Sequence, residues 1–197
     1  DAIRAGITSA MIGPGSSNVV GGQFSFLKTN GRCIDKMIVK APAAMKVAFG
    51  ENPKVNYSGM DKSPSTRMAI ASMLREELTR AKQYQKRQAS DPEAEKDFRY
   101  ECWLPVLTGE IPLKAHAHQA NDILTAVRIA KEFGVKLTLE HVTDGALIVD
   151  ELVRANVPLA VGPTFGQPSK IELKNKSWET PGILNRAGCH VSIITDS

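Results

Sequence analysis

Repeated strand–helix units constrain the fold of this chain most. Beyond Ile111 short apolar runs alternate with amphipathic stretches. Residues 111–118 read as a strand and 121–133 as a helix, with Ile123, Val127 and Ala130 on one side and Gly134 at its end. Residues 135–142 read as a strand, 145–155 as a helix, 157–161 as a strand, 180–187 as a short helix and 190–195 as a strand. Units of this length predict a parallel α/β architecture.

The first half is less regular. Residues 7–12, 24–27, 37–39 and 45–49 read as strands, and a glycine-rich stretch, Gly13 to Gly22, follows the first of them. Ser63-Pro64 marks a helix start, after which Met68, Ala71, Leu74, Leu78, Ala81 and Tyr84 recur at spacings of three or four. Residues 85–97 are polar and aperiodic and read as a surface excursion, and 98–107 read as helical. The opening Asp1 to Gly6 reads as the last turn of a helix.

Composition removes several functions. With 42% hydrophobic and 23% charged residues, the 197-residue chain is neither disordered nor a disulfide scaffold. A net charge of +4 without a basic cluster argues against a nucleic-acid partner. No apolar run approaches the roughly 18 residues of a membrane span. Cys33, Cys102 and Cys189 are scattered and odd in number, as expected of reduced thiols in a cytoplasmic protein.

Parallel α/β folds carry their chemistry at the carboxyl ends of the strands. Reading only those ends collects Glu51, His116, His118, His141 and Asp196. Three of the chain's four histidines therefore fall at strand ends beside acidic residues; His190 begins a strand and takes no role. Period-two alternation puts His116 and His118 on one face with Lys114 below them, and puts His141 on the face of Leu139 and Leu137. Imidazoles and carboxylates from neighbouring strands are a ligand set for Zn²⁺, Mn²⁺ or Fe²⁺. An ion held with one open position acidifies a bound water, whose proton a carboxylate such as Asp196 can accept. His118 taken alone could equally orient a substrate or cap the next helix. The chain lacks zinc-finger spacing and a phosphate-binding loop motif.

These residues resemble the amidohydrolase superfamily, in particular imidazolonepropionase-like members. The resemblance rests on Ala5-Gly-Ile-Thr-Ser9, Gly13-Pro-Gly-Ser-Ser-Asn18 with Gly21-Gly-Gln23, the stretch Lys114-Ala-His-Ala-His118 running on to Ile123, Leu139-Glu-His141, and Ile194-Thr-Asp196. Pro64-Ser-Thr-Arg-Met68 and Phe49-Gly-Glu-Asn-Pro-Lys54 are similar to signatures of a less characterised subgroup. It implies an incomplete (β/α)₈ TIM-type barrel, about strands two to eight, as one catalytic domain over 1–197, short of the roughly 250 residues such barrels take. The family's first-strand His-x-His is expected upstream of Asp1, so the chain reads as a fragment.

By the same resemblance His116 is the fifth-strand ligand, His141 the sixth-strand ligand, and Asp196 the eighth-strand ligand and general acid–base. One strand–helix unit separates the two histidines, and one more strand fits before Asp196. Glu51 is the first choice for a bridging ligand and Lys46, as a carbamate, the second; strand parity puts the two on opposite faces. His118 and Gln23 are expected to touch substrate. The implied activity is metal-dependent hydrolysis of carbon–nitrogen bonds other than peptide bonds in a small molecule, with zinc first and manganese or iron as alternatives. The metal is expected to be absent if the fragment lacks too many ligands. The competing reading is a barrel-derived binding or structural module, or an inactive fragment. Self-association into a homo-oligomer stays open.

Overall fold

The structure, a computed structural model, describes residues 1–91 and 93–196; Pro92, inside the expected excursion, and Ser197 lie outside the described residues. One seven-stranded sheet organises the chain: β1 (Ser9–Ile12), β2 (Val20–Lys28), β3 (Ile38–Ala48), β4 (Leu113–Ala117), β5 (Leu137–His141), β6 (Leu159–Val161) and β7 (Val191–Ile193). Strand order follows the sequence. The first three strands are antiparallel neighbours and β3 to β7 run parallel. The sheet curls into a half-barrel, as expected of an incomplete barrel.

Helices cover the outer face. The longest, α1 (Arg67–Ser90), is capped by the Thr66 hydroxyl, which accepts from the Ala69 N–H at 3.1 Å. It buries Ile70, Ala71, Leu74, Leu78, Ala81 and Tyr84, the stripe read from the sequence. Helix α2 (Ala120–Phe133) contributes Ile123, Ala126 and Ile129, which pack with Leu113, Leu137 and Leu139 in the main core. Each fully buried aliphatic there contributes about 1.5–3 kcal/mol. Helices α3 (Val149–Ala155) and α4 (Thr180–Arg186) add Leu152 and Leu184.

Several elements differ from expectation. The strands expected over 37–39 and 45–49 are parts of one eleven-residue strand, β3, which starts at Ile38 and ends at Ala48 and which β2 pairs along with register shifts. Glu51–Ser58 is a helix, α5, that the pattern did not show: it buries Pro53 alone, so it carries no apolar stripe. Helix α1 runs on through Ser90, into residues read as aperiodic, because its last turns are exposed and need no period. Residues 98–107 form two short helices, α6 (Phe98–Glu101) and α7 (Leu104–Leu107). Pro105 sits in the first turn of α7, where proline opens a helix but cannot continue one from before. No helix among the described residues is long and apolar enough to cross a membrane.

Candidate metal centre

The inner face of the sheet is polar where the outer one is apolar. On β4, Leu113, Ala115 and Ala117 enter the core, which leaves Lys114 and His116 on the opposite face, with His118 one residue beyond the strand. Register aligns Lys46 of β3 with Lys114, and His116 with Glu140 of β5. Glu140 accepts from Lys46 and, at 2.6 Å, from Lys114. Both ammonium groups also lie over the Phe24 ring, 5.7 and 5.5 Å from its centroid. Burial, the largest influence on Glu140, pushes its carboxyl upward, but the two lysines outweigh it and hold the group below the usual range.

His141 breaks the alternation. Simple parity puts it with Leu137 and Leu139, yet its ring centroid lies 4.4 Å from that of His116 and 4.5 Å from that of His118. The cause is local: His141 has φ of 73° and Val142 of 51°, left-handed values that re-aim the side chain at the end of β5. Such a conformation costs on the order of 1–3 kcal/mol per residue and persists where surrounding structure imposes it. Here His141 Nδ1 donates to the Gly162 carbonyl at 2.7 Å. Gly162 itself has φ of 137°, and a side chain on it would strike the Ile194 carbonyl.

The three imidazoles present nitrogens within 4.8 Å of one another, all buried. Because the Gly162 carbonyl can only accept, His141 carries its proton on Nδ1 and points the Nε2 lone pair inward. That Nε2 and both ring nitrogens of His116 are buried without a hydrogen-bond partner. Orphaned buried polar atoms are costly, and one nitrogen from each of the three rings, gathered in one buried cluster, is donor chemistry that fits a divalent cation. Burial foremost, then the neighbouring imidazoles and lysines, lowers the pKa of His116 well below the ordinary value and that of His118 to about 2. Burial lowers His141 as well, opposed by the Gly162 bond and Asp196. All three therefore stay neutral at pH 7 with lone pairs available. His118 Nδ1 lies 2.8 Å from the Thr143 hydroxyl.

The other expected residues are placed as follows. Asp196 puts a carboxylate oxygen 4.0 Å from His141 Nε2, on a side chain 60% exposed at the mouth of the site. Lys46 is buried on the inner face through its pair with Glu140. Glu51 opens α5, and its N–H donates to Glu172 at 2.8 Å; its carboxylate is not among the converging donors. Gln23 donates its side-chain amide to the Cys102 carbonyl at 3.0 Å, away from the cavity. Cys33, Cys102 and Cys189 are free thiols.

A buried polar network at the His118 side went unread. Glu172, 1% exposed in the short turn Ile171–Leu173, lies 3.8 Å from His118 Nε2, 2.6 Å from Lys170 Nζ and 3.8 Å from an Arg67 nitrogen. Arg67 also donates to Asp122 at 2.9 Å, and Lys170 to Asn52 at 2.5 Å. Burial raises the Asp122 carboxyl, partly offset by Arg67. Gly50, with φ of 80°, lets the chain pass this network: a Cβ there would lie 2.7 Å from Glu172 Oε2 and 3.0 Å from Asp122 Oδ2. Arg67 belongs to the Pro64-to-Met68 motif, so one end of the network carried a signal; Glu172 sits in an aperiodic loop and carried none. A cavity of about 440 Å³ opens over His116 and His118, with Asp196, Asn52, Lys170 and Lys176 on its walls.

No family model matches the chain. A solved amidohydrolase from Thermotoga maritima MSB8 is 41% identical, with a TM-score of 0.94, over 97% of this chain and 51% of that one. Amidohydrolase tasK of Hapsidospora irregularis is 27% identical over 172 residues, 75% of this chain and 18% of its own length. The chain thus spans about half the solved relative and under a fifth of the curated one. Both likenesses support an amidohydrolase family for this chain.

Proposed function

We propose that this chain carries much of the metal site of a hydrolase that cleaves carbon–nitrogen bonds other than peptide bonds, in small amides or cyclic amides. The convergence of His116, His118 and His141, with three ring nitrogens buried and unpartnered, carries the reading. Similarity to two proteins named amidohydrolases supports it, and we place the chain near the imidazolonepropionase-like members of a TIM-type barrel family. A divalent ion held there, zinc first and manganese or iron as alternatives, supplies Lewis acidity and a water with a pKa near 7.

The chain's own residues do the rest. His116 and His141 present lone pairs, and the Gly162 carbonyl fixes the His141 tautomer that does so. His118, held by Thr143, is a third donor or a substrate contact. Asp196 stands beside His141 at the mouth, where a carboxylate takes a proton from the attacking water and returns it to the leaving nitrogen. For a further ligand Lys46 is better placed than Glu51, because it shares the inner face with His116. The free thiols suit the reducing cytoplasm, the location we infer.

The test is to add zinc, manganese or iron(II) to metal-free protein, measure the metal retained, and assay a panel of small amides and cyclic amides. Retained metal with metal-dependent release of amine supports the reading. Protein that keeps no metal above a buffer blank, or metal-loaded protein inert to the whole panel, overturns it.

A further inference from the structure

The cavity above the histidines has one wall made of donors. Lys170 is occupied, its ammonium 2.6 Å from Glu172 and 2.5 Å from Asn52. Arg67 is likewise engaged with Asp122. Lys176 is different: it lines the cavity, is half-buried, and among the described residues meets no carboxylate. Gln167 and Ser169, beside it in the lining, add neutral donors, whereas the lining carboxylate, Asp196, belongs to the His141 side.

The ammonium is held rather than free to swing. Lys176 Nζ donates to the Phe165 carbonyl at 2.7 Å, which uses one of its three protons. The preceding residue is anchored too: Asn175 donates to Asp144 at 2.8 Å, and Asp144 accepts from the Ala120 N–H at 3.0 Å, at the start of α2. Asp144 follows Thr143, the partner of His118, so the lysine wall and the histidine floor share one anchor. A fixed, part-desolvated ammonium without a counter-ion is a site for an anionic group, and charge-assisted hydrogen bonds to carboxylates are among the stronger ones.

We propose that Lys176, with Ser169 and Gln167, binds a carboxylate of the substrate, so that the site takes small amides bearing a carboxylate on the side facing this wall. This deepens the hydrolase reading and rests on it for the word substrate. A volume of about 440 Å³ suits such a small acid.

The experiment uses N-acetylglycine and its neutral counterpart N-acetylglycinamide, titrated by NMR into metal-free protein. The acid is expected to bind at least about tenfold more tightly than the amide. Lys176→Met should remove that preference, while Lys174→Met, an exposed neighbour outside the lining, should keep it. Equal binding of the two probes, no binding of either, or a preference that survives Lys176→Met overturns the proposal. None of these readouts involves metal or turnover. A protein that binds the acid through Lys176 yet retains no metal therefore refutes the hydrolase reading alone.

Discussion

Replacing Glu140 by Gln should destabilise the protein through two lysines that have no other buried carboxylate. Glu140 is 7% exposed and Lys46 is 4% exposed, and Lys114 pairs with the same carboxylate from the neighbouring strand. Gln keeps the shape and removes the charge, which strands both ammonium groups over the Phe24 ring. Removing one member of a buried ion pair costs about 3–5 kcal/mol. For a domain of this size each kcal/mol moves Tm by about 2–4 °C, so a fall of roughly 6–20 °C is expected. The assay is thermal and urea unfolding of metal-free wild type and variant at pH 7, the first reading Tm and the second the free energy.

The loss should also depend on pH. The Glu140 carboxyl is held below its ordinary value, so its contribution is complete above the unfolded value, about 4.3, and fades as pH falls through the folded one. Wild type and variant should therefore converge on acidification. Exchanging Lys46, Lys114 and Glu140 together for Met should recover most of the loss, since no charge is then left buried. A loss under about 1 kcal/mol at pH 7 would refute this account of the inner face.

Three further outcomes are expected. Asp196→Asn should lower kcat by about 10²–10⁴ on whichever amide the protein cleaves best, as loss of an acid–base group does; unchanged kcat removes it from that role. The three buried histidines have lowered pKa values, so below the unfolded value of about 6.5 the unfolded chain binds protons that the folded one refuses. Metal-free protein should thus lose stability as pH drops from about 6.5 to 5, with a slope of up to about 1.4 kcal/mol per pH unit for each, and His118→Ala should flatten that slope as measured by urea midpoints. Gly50→Ala, which presses a Cβ on Glu172 and Asp122 and strains a φ of 80°, should cost about 1–3 kcal/mol in the same assay; a neutral result would mean the network yields freely.

Much of this was legible in the sequence, for reasons that separate the successes from the failures. His116 and His118 share a face because they are two apart on a regular strand, and alternation holds there. Alternation puts His141 on the wrong face because it assumes β dihedrals, whereas His141 and Val142 take left-handed ones at the strand end, a conformation the residue types there do not signal. Strand parity could not weigh Lys46 against Glu51, because Glu51 lies past the end of β3 in α5, and that Lys46 turns inward needed the register of β3 on β4. The α1 stripe showed itself through burial, whereas α5 buries one residue and stayed silent. Glu172 acts through long-range partners, Glu51 and Arg67 among them, so its meaning exists only in the folded chain.

The central claim is that the three histidines hold a divalent metal. Cobalt(II) titrated into metal-free protein and followed by its visible absorption tests this most directly, because few-coordinate nitrogen sites absorb strongly and bulk ions weakly. The account predicts saturation near one or two ions per chain for wild type and a loss of the absorption in the His116→Ala/His141→Ala pair. An unchanged titration in the double variant, or a wild type indistinguishable from buffer, would contradict it.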